Sequence, residues 1–452
     1  MKLAQLRKQY PVFLYKGYSY KLRGKDLAIS FDFRVLPDIR FAPKVVIKNV
    51  GKENLKRVGE SNLNNLVFHL GLMEIPSYWK ATCSPKIIVK ASPPAGGLNS
   101  TQVAWWKNLF MQGLGEFFYK NSIDFTTPNF LTITSERVPS RSEVRVGRGF
   151  GGRSGGGHSL RVLVSVGGGK DSAVTLELLK NMKIQSFVLN PKKPQLAIIK
   201  KAGEKAPITA LRTIDSRLLE LNRKGYFNGH TPFSAYLAFL SVFVAVLFDY
   251  KYIALSNERS SNEGNIKYRG KTINHQYSKS FEFEKKFREY TKKYFAKDTE
   301  YFSFLRPLYE LQIAKIFARY PKYFNVFLSC NEARKTKSGK QKPTGKWCGK
   351  CSKCLFVYVI LSPFIKPKTL EKIFGKNLLK DGSLKPLMDQ LTGKRGFKPF
   401  ECVGTPQEVA AALSFLSRTK DNREANKILR SWDSYNFVPK KLSRILKQEV
   451  LT

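Results

Sequence analysis

Residues 160–180, LRVLVSVGGGKDSAVTLELLK, carry the reading on which the fold depends. A short apolar run with Val162, Val164 and Val166 ends in Gly167, Gly168 and Gly169, and Lys170, Asp171 and Ser172 follow directly. Beyond them Val174, Leu176, Leu178 and Leu179 recur in a helix-like pattern, so the stretch reads as strand, tight loop, helix. Consecutive glycines let the backbone take conformations closed to other residues and bring N–H groups close to an anion. Ser172 and the first N–H groups of the helix present the positive end of the helix dipole to the same anion. Lys170 adds a point charge, and Asp171 is placed to hold Mg²⁺ on a polyphosphate.

The spacing is neither G-x-x-x-x-G-K-[ST] nor G-x-G-x-x-G. It resembles the S-G-G-x-D-S loop of the PP-loop ATP pyrophosphatases, with Gly167 standing where that family has Ser. The resemblance implies that Gly167, Gly168, Gly169, Lys170, Asp171 and Ser172 bind ATP, which the superfamily splits into AMP and pyrophosphate.

Outward from this loop, KIQSFVLNP at 183–191 reads as a second strand, and LRTIDSRLLEL at 211–221 as a further strand and a helix. Pro232 opens the apolar stretch 233–248, a buried helix slightly short of a membrane span and interrupted by Ser234, Tyr236 and Ser241. Residues 252–255 read as a buried strand. This alternation predicts an α/β fold with a doubly wound parallel sheet. Ligands bind such sheets at the carboxyl ends of the strands, so the polar stretch SNERSSNEGN at 256–265 falls near the glycine loop by topology alone. Asn257, Glu258, Arg259, Asn262 and Asn265 are therefore candidate substrate-binding residues. Downstream, His275, Tyr277 and Lys279 are candidate proton-transfer groups, beside Asp171 as a catalytic residue of the loop. Glu282 and Glu284 stand at the start of an apparent helix, where acidic residues suit the dipole.

Cys348, Cys351 and Cys354 form C-x-x-C-x-x-C, and Cys330 sits earlier in a strand-like FLSC. Four thiolates are the tetrahedral set of a closed structural Zn²⁺ site. Ferredoxin runs share the spacing, so an iron–sulfur cluster is the rival. Cys83 and Cys402 stand alone and read as packing residues.

The chain has 452 residues, long enough for two or three domains, and a formal charge of +45 from 79 basic against 34 acidic residues. Such a charge draws in nucleic acid or a multiply anionic substrate, or is spread over solvated faces. The N-terminal residues show no apolar signal region, which with the cysteine clustering fits a reducing cytoplasm. Residues 18–35 alternate apolar and polar on both sides of a turn at 24–26, KVVIKNV at 44–50 is another strand, and the pattern turns helical from Glu60. His69, Trp105 and Trp106 read as core residues. The boundaries expected are an N-terminal α+β domain over 1–146, a Gly/Arg-rich linker over 147–158 containing Arg148 and Arg153, a nucleotide domain over 159–367, and a C-terminal helical region over 368–452.

Two wider resemblances follow. The GGGKDS loop, HTPFSAYLAFL, SN at a strand end, and LSC followed by CGKCSKC look like the 7-cyano-7-deazaguanine synthases, which pair a PP-loop with a four-cysteine zinc site. Over nearly the whole chain, FHLGLMEIPSYWKATCSPKIIV, WWKNLFMQGLGEFFYKN, NGHTPFSA, SNERSSNEGN, NHQYSKSFEFE and WCGKCSKC resemble the MurL family. That resemblance implies a PP-loop (adenine nucleotide alpha hydrolase-like) core and ATP with Mg²⁺ or Mn²⁺. It implies epimerisation of the terminal L-glutamate of UDP-MurNAc-L-Ala-L-Glu in peptidoglycan precursor synthesis. A Cα–H beside a carboxylate is too weak an acid to ionise at neutral pH, and adenylation of that carboxylate supplies the activation. With no RRM or KH signature, nucleic acid is not an expected partner. The alternative is a PP-loop enzyme modifying a nucleobase or tRNA.

Overall fold

The computed structural model describes residues 2–90, 97–136, 161–333, 344–417 and 422–451. The linker expected at 147–158, with Arg148 and Arg153, lies outside the described residues. In chain order the first elements are α1 Leu3–Gln9, β1 Val12–Arg23, β2 Asp26–Leu36, β3 Ile39–Phe41, β4 Lys44–Ile47, α2 Lys52–Val58, α3 Glu60–Trp79, β5 Lys86–Val89, α4 Ser100–Gly113, α5 Gly115–Lys120 and β6 Thr132–Ser135. Next come β7 Arg161–Ser165, α6 Lys170–Leu179, β8 Lys183–Leu189, α7 Lys193–Lys201, β9 Ile208–Thr213, α8 Ser216–Arg223, α9 Phe233–Phe248, β10 Tyr252–Leu255, β11 Ile266–Tyr268, β12 Lys271–Ile273, α10 Phe281–Tyr290 and β13 Glu300–Ser303. Helices complete the chain: α11 Glu310–Ala318, α12 Ser352–Leu361, α13 Pro367–Phe374, α14 Lys385–Leu391, α15 Pro406–Ser414, α16 Arg423–Arg430 and α17 Lys440–Leu451. The class is mixed α/β.

Two units are each assembled from alternating stretches of chain. The first takes Met1–Arg161, Ile208–Lys251 and Glu289–Thr299, and the second takes Val162–Pro207, Tyr252–Arg288 and Glu300–Thr452.

In the first unit β1 and β2 form the expected hairpin, with Arg23 opposite Asp26 and Gly24 at φ +58°. That is a left-handed conformation a side chain would strain. β2 pairs antiparallel with β4 and β4 with β9, while β1 pairs parallel with β5 and β5 with β6. Alternate residues of β2, Leu27, Ile29, Phe31, Phe33 and Val35, are buried, the period-two signature of a strand with one face in a core. Helix α3 packs on β1 and β2 and runs through Pro76. Gly71 sets the closeness of that packing, because a methyl there would overlap the Tyr15 hydroxyl and the Phe31 ring. Helix α9, apolar on all sides, packs against α2 and α3, as a helix without a polar face must. Among the described residues no helix is long and apolar enough to cross a membrane. Trp106 stacks on Phe239 with centroids 5.0 Å apart and donates to the Tyr290 hydroxyl at 2.9 Å. His69 meets the same hydroxyl at 3.0 Å, and burial lowers its pKa to about 4, so it is a neutral core residue.

In the second unit β8, β7, β10 and β13 lie side by side in that order, with β10 parallel to both β7 and β13. The chain leaves β7 through α6 to β8 on one side, whereas β10 lies on the other. The carboxyl ends of β7 and β10 therefore bound a switch point, where an open sheet takes its ligand. The glycine loop follows β7 and the polar stretch follows β10. Residues 327–330, read as strand-like, form no strand. Leu328 N–H donates instead to the Gly168 carbonyl at 2.8 Å, so this segment is spent on the glycine loop rather than on the sheet.

Candidate functional site

The loop after β7 is built as its residues require. Gly168 takes φ +87° and Gly169 caps α6 in an extended conformation. Gly167 N–H donates to Ser172 Oγ at 2.9 Å. A Cβ on Gly169 would press on Ser329 at 3.2 Å, so the third glycine is where the 328–330 segment closes over the loop. The opening N–H groups of α6 have no partner within the helix, and they face the same end as Asp171. This cradle fits a phosphate chain.

Lys170 does not stand in that cradle. Its side chain is 2% exposed, and its ammonium is held between Asp171 Oδ1 and Glu310 Oε2. Burial acts to lower the Lys170 pKa, but the charges of Asp171 and Glu310 outweigh it and raise it. Burial acts to raise Asp171, and Lys170 and then Lys353 outweigh it and lower it. Glu310 ends differently: burial, reinforced by the Asp171 charge, prevails over Lys170 and lifts it to about 7. Lys353, between two of the clustered cysteines, stands 4.0 Å from the other Glu310 oxygen and donates to the Cys402 carbonyl. Lys170 is thus a buried cation paired with both Asp171 and Glu310.

The polar stretch is held from beneath by Arg306, which is fully buried. Its guanidinium donates to the Glu258 carbonyl at 2.6 Å, to Ser261 Oγ at 2.8 Å and to the Lys279 carbonyl, and it pairs with Glu284 at 3.2 Å. Glu284, read from sequence as a dipole residue, is the buried counter-ion of this clamp. The candidates of the stretch then divide. Asn262 Oδ1 accepts from Phe281 N–H at 2.7 Å, at the start of α10. Asn265 accepts from His275 N–H at 2.8 Å and donates to the carbonyls of Lys398 and Pro399 at 3.1 and 2.8 Å. Asn257 donates to Ser303 Oγ at 3.0 Å. Arg259 lies over the Tyr309 ring at 4.4 Å and 3.6 Å from Asp433. These four have structural contacts, and Asn265 in particular sews a C-terminal loop onto the site.

Three other candidates carry charge or titrate. Lys279 Nζ donates to Cys402 Sγ at 3.3 Å. Burial would lower its pKa, but Cys402 and Glu258 outweigh it and raise it, so Lys279 stays an ammonium. Tyr277 is buried and within 3.5 Å of Glu282, and burial with that carboxylate raises its pKa, so it stays a phenol. His275 hydrogen-bonds to Cys402. Cys402, read from sequence as a packing residue, thus stands in a cluster with Lys279, His275 and Lys353. No spacing in the sequence links it to them, because it arrives on a loop 123 residues after Lys279 and 49 after Lys353. Glu408 was also missed. It is buried and accepts from Ser260 Oγ at 2.6 Å and from Leu311 N–H at 3.3 Å, fixing α15 to the same region.

Cys330, Cys348, Cys351 and Cys354 do converge: their sulfurs all lie within 4.8 Å of one another. Cys330 and Cys351 are 3.9 Å apart and Cys348 and Cys354 3.6 Å. A tetrahedron of thiolates about 2.3 Å from one Zn²⁺ has edges of about 3.8 Å, so the set fits a single metal ion. A multi-iron cluster needs its ligands spread over several metals. Two segments join the knot to the site. Cys330 follows the segment that closes on Gly168, and Lys353 lies between Cys351 and Cys354.

A family model described as the MurL N-terminal domain matches residues 4–304, and one described as the MurL C-terminal domain matches residues 326–442. Curated relatives include a UDP-N-acetyl-alpha-D-muramoyl-L-alanyl-L-glutamate epimerase of Micromonospora sp., 36% identical over 351 residues, which are 77% of this chain and 74% of that protein. Proteins of the same name from Xanthomonas oryzae pv. oryzae and Salinispora tropica are 32% and 36% identical over 77% of this chain and 73% and 72% of their own. No solved structure matches. With both domain models accounting for nearly all of its length, this chain belongs to the MurL family.

Proposed function

We propose that this protein epimerises the terminal L-glutamate of UDP-MurNAc-L-Ala-L-Glu to D-glutamate with ATP, by way of an acyl-adenylate. The observation that carries the reading is the meeting, at the β7–β10 switch point, of a phosphate-sized glycine loop with a cluster of titratable groups, in a chain of this family.

The glutamyl α-carboxylate attacks the α-phosphorus of ATP. A C–O–P bond forms, the bond to the β-phosphate breaks, and pyrophosphate leaves. The Gly167–Ser172 cradle holds the polyphosphate through backbone N–H groups and the dipole of α6. Asp171, kept ionised by Lys170, is the residue to bind Mg²⁺, which when present screens the phosphate charge. Adenylation removes the carboxylate charge, so the Cα proton becomes acidic enough for a side chain to take. Proton return from the opposite face followed by attack of water gives the D-epimer and AMP. Acid–base groups in such a role contribute about 10²–10⁴-fold, and the Lys279 ammonium is available to the developing enolate oxygen. The four-cysteine knot is assigned a structural Zn²⁺ that holds the 328–330 segment against the glycine loop.

The test is incubation with UDP-MurNAc-L-Ala-L-Glu, ATP and Mg²⁺ in D₂O. Deuterium should enter the glutamate Cα only when ATP is present, with AMP and pyrophosphate formed, and a folded Asp171→Asn variant should lose pyrophosphate release. Exchange at the same rate without ATP defeats the mechanism. Pyrophosphate release with an RNA or a deazaguanine acid, and none with the dipeptide, moves the assignment to a nucleobase-modifying enzyme.

A further inference from the structure

We propose that the Cys402 thiolate is one of the two proton-transfer groups of the epimerisation, taking the glutamate Cα proton on one face. The inference rests on the epimerase reading and deepens it by naming a base.

The geometry carries it. Lys279 Nζ lies 3.3 Å from Cys402 Sγ, and His275 hydrogen-bonds to the thiol side chain. Lys353 donates to the Cys402 carbonyl, which fixes the backbone of the residue. Cys402 is partly exposed, unlike Cys83, which is buried against Lys80. The charged groups around this cluster are known. Lys279, His275 and Lys353 act on the thiol directly, and Glu258 and Asp171 act on Lys279. Burial alone would push the thiol up, but the Lys279 charge, the His275 hydrogen bond and the Lys353 charge bring it down to about 5. A thiolate beside cations is the form of cysteine that reacts.

The step balances. The Cα–H bond breaks, an S–H bond forms on Cys402, and the electron pair moves into the enolate of the adenylated carboxyl. The Cys402 proton exchanges with water, and a separate donor protonates the opposite face.

Two measurements on the full chain test the assignment. In the first, pyrophosphate release and Cα deuteration are followed together for wild type and Cys402→Ser in D₂O. The deuterium incorporated per pyrophosphate released should fall at least about 100-fold in the variant, on the scale of a lost general base. A variant in which both rates fall in step, or neither falls, overturns the role, because a merely structural cysteine does not separate the two half-reactions. In the second, alkylation of Cys402 by iodoacetamide is followed by peptide mapping against pH. Its midpoint should lie well below that of an ordinary thiol at about 8.5 and should rise in Lys279→Met, whereas an ordinary midpoint in wild type overturns the thiolate. A wild-type protein that releases no pyrophosphate with the dipeptide overturns the epimerase reading and the role with it, an outcome distinct from normal turnover with an unaffected variant.

Discussion

Glu310 and Lys170 are each 2% exposed and in contact, and their pairing decides what the phosphate loop offers a ligand. A buried pair gains little net stability, but loss of one partner strands the other, at a cost of about 3–5 kcal/mol. The Lys170 charge also lowers the Asp171 pKa, which favours the ionised carboxylate at the start of α6. The pH signature can be worked out. Glu310 has an ordinary value of 4.5 unfolded and about 7 folded, so between those values the folded state binds more protons than the unfolded one. Stability from this group therefore falls as pH rises through that window and is level on either side. The full excursion is worth up to about 3 kcal/mol. Glu310→Gln should flatten this slope while leaving the acid limb below the window in place. Denaturant melts at intervals from pH 4 to pH 8 check it, and an unchanged slope in the variant would refute the coupling.

Among the elements, the cysteine knot and helix α6 work as a pair. The 328–330 segment bonds to Gly168 and leads directly into Cys330, while Cys351 caps α12 and precedes Lys353. Metal binding free energy is folding free energy for such a knot. We expect one Zn²⁺ per chain by elemental analysis. A strong chelator should lower the thermal midpoint by roughly 5 °C or more and weaken ATP binding, because the glycine loop loses its cover. Iron with inorganic sulfide, or a metal-free protein of equal stability, contradicts this. Local pattern made most elements legible: the strand into Gly167–Gly169, the turn at Gly24, and the all-apolar run of α9. It failed at 328–330, where an apolar Phe327-Leu328 pair looks like a strand and is in fact a cover for a loop, a role set by a partner far away in sequence.

For the whole molecule, the threading of the chain matters most. Helix α9 belongs to the first unit with α2, α3 and the Trp106–Phe239 stack, although it lies in sequence between β9 and β10. A fragment covering residues 161–452 keeps α9 but loses what covers it. Each large apolar side chain uncovered forfeits about 1.5–3 kcal/mol. We therefore predict that this fragment will not form a native fold, even though it begins at the strand that leads into the glycine loop. A sharp cooperative melt and dispersed amide resonances from the fragment would show otherwise.

What the sequence determined by itself was whatever is written within a dozen residues. The three glycines before Lys-Asp-Ser specify a tight turn, in which Gly168 at φ +87° takes a backbone that a side chain would strain, and C-x-x-C-x-x-C brings three sulfurs together by its spacing alone. Strand and helix alternation specified the class. Only the tertiary structure decided which side chains meet across long separations: Lys170 with Glu310, Arg306 with Glu284, and Cys402 with Lys279 and His275. Those pairings leave no periodic trace, since a buried charge or a shifted thiol depends on burial and on neighbours delivered by the fold. They are therefore invisible in a linear chain and decisive in the folded one.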